Sequence, residues 1–507
     1  MSGNILIVPP LRDVFKGNKL MKSKEKLINI AIIGTGVSGL KCAYLIAKNT
    51  SHKINRIVLF DKNNRMGGVL QQTYEKGYLL EHGAQGVLLS RTPFYNCLNE
   101  LNIQDSVIIP NQKEQTRYLL TEKACVPLKP KFIFKKGNGL LCIKDIFRIL
   151  SEFFIKKPKN NHINETMYSF FERHFGKKFA DIFLVSLSFG IWGGGSKKLL
   201  IRYTFPQLLK IEYGYGSLMK YVLFTAIRKI FNKKANFKTP KGLASFEKGM
   251  SYLTESLFNK LQAECKKNNI ELIIKMKTQI CNLGKGNGSL YLEYETFSDQ
   301  EKIKENYDSI IYSGQLWRDD KLKIEINSEE GQKSLENLRN MESHSIAVIG
   351  LGGKYLNSQN NSFKGFGALA GSWSKDILGV IFIHSTYPSH VPKDSFLFRV
   401  MLGGDRDPGI NNKRNDELID LAKKRLFEKG IITDNMLFEF EHVVKWNNYI
   451  PLATENQDII IESIWRIEAL LPGLFFAGNY LKGVSISDCL EQAELTSKKL
   501  LNYFKNI

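Results

Sequence analysis

Gly34-Thr35-Gly36-Val37-Ser38-Gly39 is the stretch of this chain whose residue types and spacing speak most directly of chemistry. It follows an apolar run, Ile28 to Ile33, and opens onto apolar residues at helical spacing, Leu40, Ala43, Tyr44 and Ala47. A second apolar run, Ile57 to Phe60, then ends in Asp61 and Lys62. Strand, turn, helix and strand in that order make a dinucleotide grip: Gly34 permits the tight turn, Gly36 lets a pyrophosphate reach the backbone, and Gly39 lets the helix lie close on the strand. The free N–H groups at the helix start face the diphosphate, and Asp61 is placed to accept both ribose hydroxyls. Arg65-Met66-Gly67-Gly68 comes directly after, offering another close backbone approach and a guanidinium for a phosphate or the flavin side, which favours FAD over NAD. More than 400 residues further on, Gly473 to Gly478-Asn479 reads as an apolar strand entering a Gly-Asn turn, and Gly483-Val484-Ser485-Ile486-Ser487-Asp488 as a helix start with its own free N–H groups. Two glycine turns bracketing one long ligand again suit FAD.

Other chemistries find no pattern. The eight histidines show no HxxH or HExxH spacing and the seven cysteines, at 42, 97, 125, 142, 265, 281 and 489, form no CxxC pair, so neither a metal site nor a disulfide framework is written here and the compartment reads as reducing.

The elements that must position these turns belong to a 507-residue chain with 43% hydrophobic residues, ample for a large core and room for two or three domains. Strands are expected near 272–274, 290–294, 310–312, 344–350, 377–384 and 396–402, a hairpin loop over 282–289, a turn and helix over 242–261, and a helix from Cys489 to the end. The formal charge of +22 asks for an anionic partner. Twelve Lys or Arg stand against four acids between Lys129 and Lys178. Two stripes carry much of this pattern: Ile143, Ile146, Phe147, Leu150, Phe153 and Phe154 with Lys144, Arg148, Lys156 and Lys157, and Met219, Val222, Leu223, Ala226, Ile227 and Ile230 with Lys229, Lys233 and Lys234. Each suits either a helix packed on the core or one lying in a membrane surface. No apolar run approaches the ~18 to 20 residues that cross a bilayer. Nucleic-acid binding is not expected, because the cations alternate with aliphatic stripes and no binding module is present. Residues 1–26 read as a basic extension rather than a signal peptide or presequence.

Several further blocks resemble the protoporphyrinogen oxidase family, FAD enzymes of haem biosynthesis within the amine oxidase and phytoene desaturase superfamily. The superfamily likeness rests on Gly34 to Gly39, Asp61 and Arg65 to Gly68. The narrower one rests on Phe171-Glu-Arg-His-Phe-Gly176, Gly190-Ile-Trp-Gly-Gly194, Phe205-Pro206 with Glu212 and Gly216-Ser217, and Gly365-Phe-Gly367-Ala-Leu369. It extends to Ile377-Leu-Gly379-Val, Tyr387-Pro388, Met401-Leu-Gly-Gly404, Ala477-Gly-Asn479, Gly483-Val484 and Asp488-Cys489, so that it runs from about residue 28 to 500. The resemblance implies an α/β Rossmann-like FAD-binding domain with a discontinuous substrate domain and a helical membrane-binding domain. The boundaries expected are 1–27 for the extension; 28–95, 239–315 and 441–507 for the FAD domain; 96–128 and 316–440 for the substrate domain; and 129–238 for the helical domain.

It further implies six-electron oxidation of protoporphyrinogen IX in three hydride transfers to the flavin, with oxygen or a respiratory acceptor reoxidising it and no side-chain acid or base. Arg117 falls where the family pairs a propionate, a task suited to a fork that keeps its charge. Leu369 and Tyr387 fall where a pyrrole ring is sandwiched. Gly190 reads equally as a residue that lets the substrate ring lie close to backbone or as a packing glycine. The cofactor residues implied are Gly34, Thr35, Gly36, Val37, Ser38, Gly39, Asp61, Lys62, Arg65, Gly67, Gly68, Gly83, Ala84, Gln85, Ile280, Gly478, Asn479, Val484, Ser485 and Ile486, with no metal. The chain departs from the family at Ala84, Gln85, Tyr387, Tyr480 and Ala493. Implied partners are an anionic membrane surface and ferrochelatase or a second copy of the chain. The implied location is peripheral, on the mitochondrial inner membrane or the cytoplasmic face of a bacterial inner membrane, without secretion. The rivals are coproporphyrinogen III oxidation, which needs more cations at the pocket mouth for four propionates, an amine oxidase or carotenoid desaturase, and a catalytically silent flavin or tetrapyrrole carrier.

Overall fold

The computed structural model describes residues 27–49, 52–111, 115–129, 133, 140–157, 164–231, 242–286, 288–297, 301–356, 363–374 and 376–505. The basic N-terminal segment and Lys131, Lys135, Lys136, Lys159, Lys233 and Lys234 lie outside them.

A five-stranded, wholly parallel sheet runs in the order Glu271–Lys275, Ile54–Phe60, Ile28–Ile33, Ser309–Tyr312, Leu474–Phe476. The two strands around the first glycine turn are apolar without alternation because both faces are covered: Ile30, Ala31, Ile32, Ile57, Val58, Leu59 and Phe60 are all fully buried. On one face lie the helices Val37–Lys48, Ser251–Lys267 and Ile486–Lys505, and on the other the antiparallel strands Thr278–Lys285 and Leu290–Thr296. The strand Leu474–Phe476 sits two places from Ile28–Ile33, so residues distant in sequence end on one sheet edge.

A seven-stranded sheet runs Met436–Pro451, Ser343–Tyr355, Ser395–Gly403, Ile377–Phe382, Gly367–Ala370, Arg117–Leu120, Cys125–Pro127. Paired residues share a face. Arg117, Gly367, Ile381, Arg399 and Gly350 therefore form one cross-strand row, and Leu119, Leu369, Gly379, Met401 and Val348 the next.

Residues between these sheets are helical: Ile143–Leu150, Met167–Phe175, a continuous run from Lys177 to Trp192 with a π turn at Ala180–Leu184, Pro206–Tyr215 and Leu218–Phe231. Their interior holds a polar lock. Glu152, fully buried, accepts from His174 Nδ1 (2.8 Å), Ser217 (2.6 Å) and the backbone N–H groups of Leu218 (2.6 Å) and Met219 (3.0 Å), which caps the helix beginning at Leu218. Glu212, also fully buried, takes Arg173 (2.5 Å) and His174 Nε2 (3.2 Å). Burial alone would raise Glu152's carboxyl, but hydrogen bonds from His174, Ser217, Met219 and Leu218 overcome it and hold it at about 2. Burial likewise opposes charge on His174, and the bonds to Glu152 and Glu212 win, raising its pKa.

Both amphipathic stripes leave large side chains outside: Ile143 is 71%, Phe147 68%, Phe154 77% and Val222 64% exposed, while Ile146, Phe153 and Met219 are half-buried. Among the described residues no helix is long and apolar enough to cross a membrane.

Several expectations shift at their edges. The strand expected over 377–384 stops at Phe382, because Ile383–Thr386 turns into a short helix whose Thr386 and Ser385 hydroxyls bond Phe366 and Gly365 backbone. The hairpin loop expected over 282–289 shrinks, since strand pairing continues to Lys285 and resumes at Leu290. The turn and helix over 242–261 contains a strand, Leu243–Phe246, and its helix continues to Lys267. The last helix starts at Ile486 rather than Cys489. Met436–Pro451, a long strand at the sheet edge, is not among the expected strands; its mixed polarity hides the period.

Candidate functional site

The first glycine turn is built as its spacing requires. Gly34 has φ +97°, and a side chain on Gly39 would stand 2.0 Å from the Gly34 carbonyl oxygen, so the helix Val37–Lys48 reaches the strand only without one. Gly67 N–H donates to the Thr35 carbonyl (2.9 Å), and a Cβ placed on Gly36 would stand 3.9 Å from Gly68 Cα. The two glycine segments thus face each other, leaving backbone on both sides of one slot. Arg65 does not reach outward. Its guanidinium donates to the carbonyls of Met66 (3.1 Å) and Gly68 (2.9 Å) and stiffens the second loop.

The far end of the chain arrives beside the first. Ser38 hydrogen-bonds the Cys489 thiol, which burial pushes up to about 12, and Cys42 lies 3.6 Å from the Ala493 carbonyl. Ala493, an expected departure from the family, is fully buried at this helix contact. Gly478, at φ +153°, carries the turn out of the last strand, and Asn479 Oδ1 accepts from Gln315 (3.0 Å). Ser485 and Asp488 cap the last helix reciprocally, Ser485 donating to Asp488 at 2.6 Å and accepting its N–H at 3.1 Å; Arg91 pairs with the same Asp488. Val484 is half-buried, Ser485 exposed and Ile486 buried. Ile280 is 3% exposed in the strand beside Asp61, and Lys62 is exposed. Tyr480 is buried against Trp317.

Whether FAD fits can be judged from these groups. The opposed glycines leave room at the backbone, and Gln85, 7% exposed, has no hydrogen-bond partner at either amide atom among the described residues. Ser487, fully buried at the start of the last helix, likewise has no hydroxyl partner among the described residues. Such orphans are costly without a ligand or water to meet them. Asp61 is more constrained. Its Oδ2 accepts Thr35 N–H (2.9 Å) and hydroxyl (2.7 Å), and its Oδ1 accepts Asn63 N–H (2.9 Å) and side-chain amide (2.9 Å). A ribose at this carboxylate must take over a place held by Asn63. With that single exchange the residues present fit the cofactor.

The expected substrate residues divide. Leu369 and Gly190 meet: a Cβ on Gly190 would lie 3.0 Å from Leu369 Cδ2. Leu187 and Ile191, one helical step either side of this contact, are exposed apolar residues that sequence reasoning missed; their i, i+3, i+4 spacing with Gly190 was the available signal. Arg117 stands exposed at the start of the strand one place in from the sheet edge, with its guanidinium 5.0 Å from the Phe366 ring centroid, and no carboxylate pairs with it among the described residues. Tyr387 turns inward instead. Its ring is 1% exposed and stacked on His390, and its hydroxyl donates to the Leu243 carbonyl (2.7 Å), which answers the need for a partner.

Between cradle and sheet lies the segment Glu81–Gln85. A Cβ on Gly83 would stand 2.4 Å from the Val69 carbonyl, and Ala84 is half-buried. Burial, opposed by the Met250 N–H and the Arg399 charge, pushes Glu81's carboxyl up to about 8. Beside it His82 and His442 stack at 5.5 Å, both bonded to the Thr73 hydroxyl (2.7 and 3.1 Å), and burial with neighbouring cations lowers His82 to about 4. Among the described residues no cluster could hold a metal ion.

Comparison with known proteins agrees with this frame. The chain is 23% identical over 493 residues to protoporphyrinogen oxidase 2, chloroplastic/mitochondrial, of Arabidopsis thaliana, covering 94% of each. It is 21% identical over 493 residues to coproporphyrinogen III oxidase of Staphylococcus aureus, covering 93% of this chain and 99% of that one. Among solved structures, a candidate protoporphyrinogen oxidase from Exiguobacterium sp. 255-15 superposes with a TM-score of 0.73 at 17% identity, covering 94% and 99% of the two chains, a likeness of fold. The family model described as flavin containing amine oxidoreductase matches residues 37–501. The fold is an α/β Rossmann-like flavoprotein, the cofactor is FAD, and the chain belongs to the flavin-containing amine oxidoreductase family.

Proposed function

We propose that the protein oxidises a porphyrinogen, protoporphyrinogen IX in preference to coproporphyrinogen III, in haem synthesis. The observation that carries this reading is a cation with no carboxylate partner among the described residues beside an apolar floor: Arg117 stands in the cross-strand row next to that of Leu369, Gly379 and Met401, and the helix carrying the exposed Leu187 and Ile191 meets Leu369 at Gly190. Such a surface suits a flat, greasy ring system bearing carboxylates at one end. The names of the relatives in both porphyrinogen branches support the same substrate class.

When bound, the flavin supplies the hydride acceptor for the substrate's methylene carbons. The chain's part is placement. Arg117 would fork onto a propionate and fix the ring's direction, and Leu369, backed by the close approach of Gly190, would press one ring face. The apolar wall keeps water from the reacting carbon. No side chain here is assigned a proton-transfer step.

The protein is further proposed to lie on a membrane. Ile143, Phe147, Leu150 and Phe154 with Val222, Leu223, Phe224 and Ile227 are exposed, and Lys144, Lys156, Lys157, Lys220 and Arg228 accompany them, the arrangement of a surface that dips into acyl chains and meets anionic headgroups.

The test is direct assay of the purified FAD-bound protein with each porphyrinogen by porphyrin fluorescence. Faster turnover of the dicarboxylate is expected. Faster turnover of the tetracarboxylate would move the assignment to the coproporphyrinogen branch, and inactivity toward both would end the porphyrinogen reading.

A further inference from the structure

Arg399 is a buried cation that the proposed oxidation does not use. It stands in the middle of the strand Ser395–Gly403 and is 4% exposed. Its Nε donates to the Glu81 carbonyl (2.9 Å) and its Nη2 to the Gly83 carbonyl (2.5 Å), while Nη1 makes no hydrogen bond among the described residues. Both partners are neutral. The nearby acid Glu81 spends one carboxyl oxygen on the Met250 N–H (2.7 Å), and the other has no partner among the described residues. Burial pushes that carboxyl's pKa up to about 8, and among the described residues no hydrogen bond joins it to the guanidinium, whose acceptors are both neutral carbonyls. An unpaired charge in such a place is expensive, and an apolar residue would pack there without the cost. A lysine could not fork onto two carbonyls.

Contacts lead from this residue to the cofactor turn. Gly83 backs onto the Val69 carbonyl, Val69 follows Gly67 and Gly68, and Gly68 faces Gly36. Gln85, two residues beyond Gly83, holds its partnerless amide on the same segment. Arg117, by contrast, stands three strand spacings away along the same row, roughly 14 Å at ~4.8 Å per strand, where substrate is proposed to bind. The two arginines therefore serve opposite ends of the site.

We propose that Arg399 is a positioning residue: its guanidinium fixes the Gly83–Gln85 wall of the flavin cradle, and its buried charge favours the reduced, more negative flavin. This rests on the FAD cradle and not on which porphyrinogen is the substrate, so it survives a change in that assignment.

The experiment measures the midpoint potential, visible spectrum and FAD dissociation constant of the intact FAD-bound protein and of Arg399→Met and Arg399→Lys at pH 7. Arg399→Met should lower the ratio of reduced to oxidised flavin at fixed potential at least tenfold, about 30 mV for a two-electron couple. Arg399→Lys, which keeps a charge but not the fork, should hold that ratio within threefold while FAD dissociates at least tenfold more readily and the flavin band changes shape. A Met variant whose ratio stays within threefold of the parent overturns the charge role. A Lys variant with unchanged FAD affinity and spectrum overturns the positioning role, and decides it alone where the Met variant does not fold.

Discussion

Removing the charge from Glu152 should loosen the helix Leu218–Phe231 without altering the flavin site. The carboxylate is fully buried and accepts four hydrogen bonds, two of them from the first N–H groups of that helix. Its pKa is held at about 2 against a usual 4.5. At ~1.36 kcal/mol per unit, that gap is worth about 3 kcal/mol at pH 7, in line with the cost of breaking a buried ion pair from one side. The sign follows from the direction. A depressed carboxyl contributes fully above its unfolded value near 4.5 and loses its contribution as pH falls through about 2. His174 is raised, so its share is complete below 6.5 and is lost as pH climbs through its folded value. The lock is therefore tightest from about pH 5 to 6.5 and should weaken on the alkaline side. Because a chain of this size has no single unfolding free energy, the proper assay is amide hydrogen exchange over 218–231. Glu152→Gln, equal in size, should speed exchange at Leu218 and Met219 roughly 100-fold, with protection of 37–48 unchanged. Exchange within threefold of the parent at pH 6 would refute the reasoning, since the four bonds would then carry no net stability.

Gly39→Ala places a Cβ 2.0 Å from the Gly34 carbonyl, so the purified variant should lose its yellow colour, with FAD affinity down at least tenfold by absorbance titration. Arg117→Leu should raise KM for the porphyrinogen by about 10- to 100-fold, the ~1.5–3 kcal/mol of a charge-assisted bond, while the visible spectrum of the bound flavin stays put. Phe147→Asp and Leu223→Asp alter side chains 68% and 49% exposed, so the thermal melting profile should stay unchanged while flotation with anionic vesicles falls sharply. Equal flotation would show that these side chains do not contact lipid.

Much of the cofactor frame could be read from the chain because its signals are local. Gly34, Gly36 and Gly39 act within six residues of one another, and a side chain at Gly39 clashes with the backbone of Gly34 five residues earlier. Arg65 was legible as part of the second loop but not in its direction, because an arginine's reach admits several acceptors; only the fold shows it turned onto Met66 and Gly68. Tyr387 was similarly placed in a wall by resemblance, whereas the carbonyl that takes its hydroxyl belongs to Leu243, in a strand no nearby residue announces.

What the sequence by itself determined is the α/β flavoprotein frame: apolar strands, turns that tolerate only glycine, and helix starts with their own caps, each decided by sterics and hydrogen bonding within a few residues. What only the tertiary structure decided is the direction of long side chains and the company of buried charges. The stripes at Ile143–Leu150 and Leu218–Phe231 have one periodicity whether they face a core or a membrane, and their exposure settled which side chains are left outside. Glu152, His174 and Glu212, or Arg399 and Glu81, lie tens to hundreds of residues apart, and nothing in their own neighbourhoods marks them. Burial and charge coupling depend on what packs around a group, a property of the whole fold rather than of any segment.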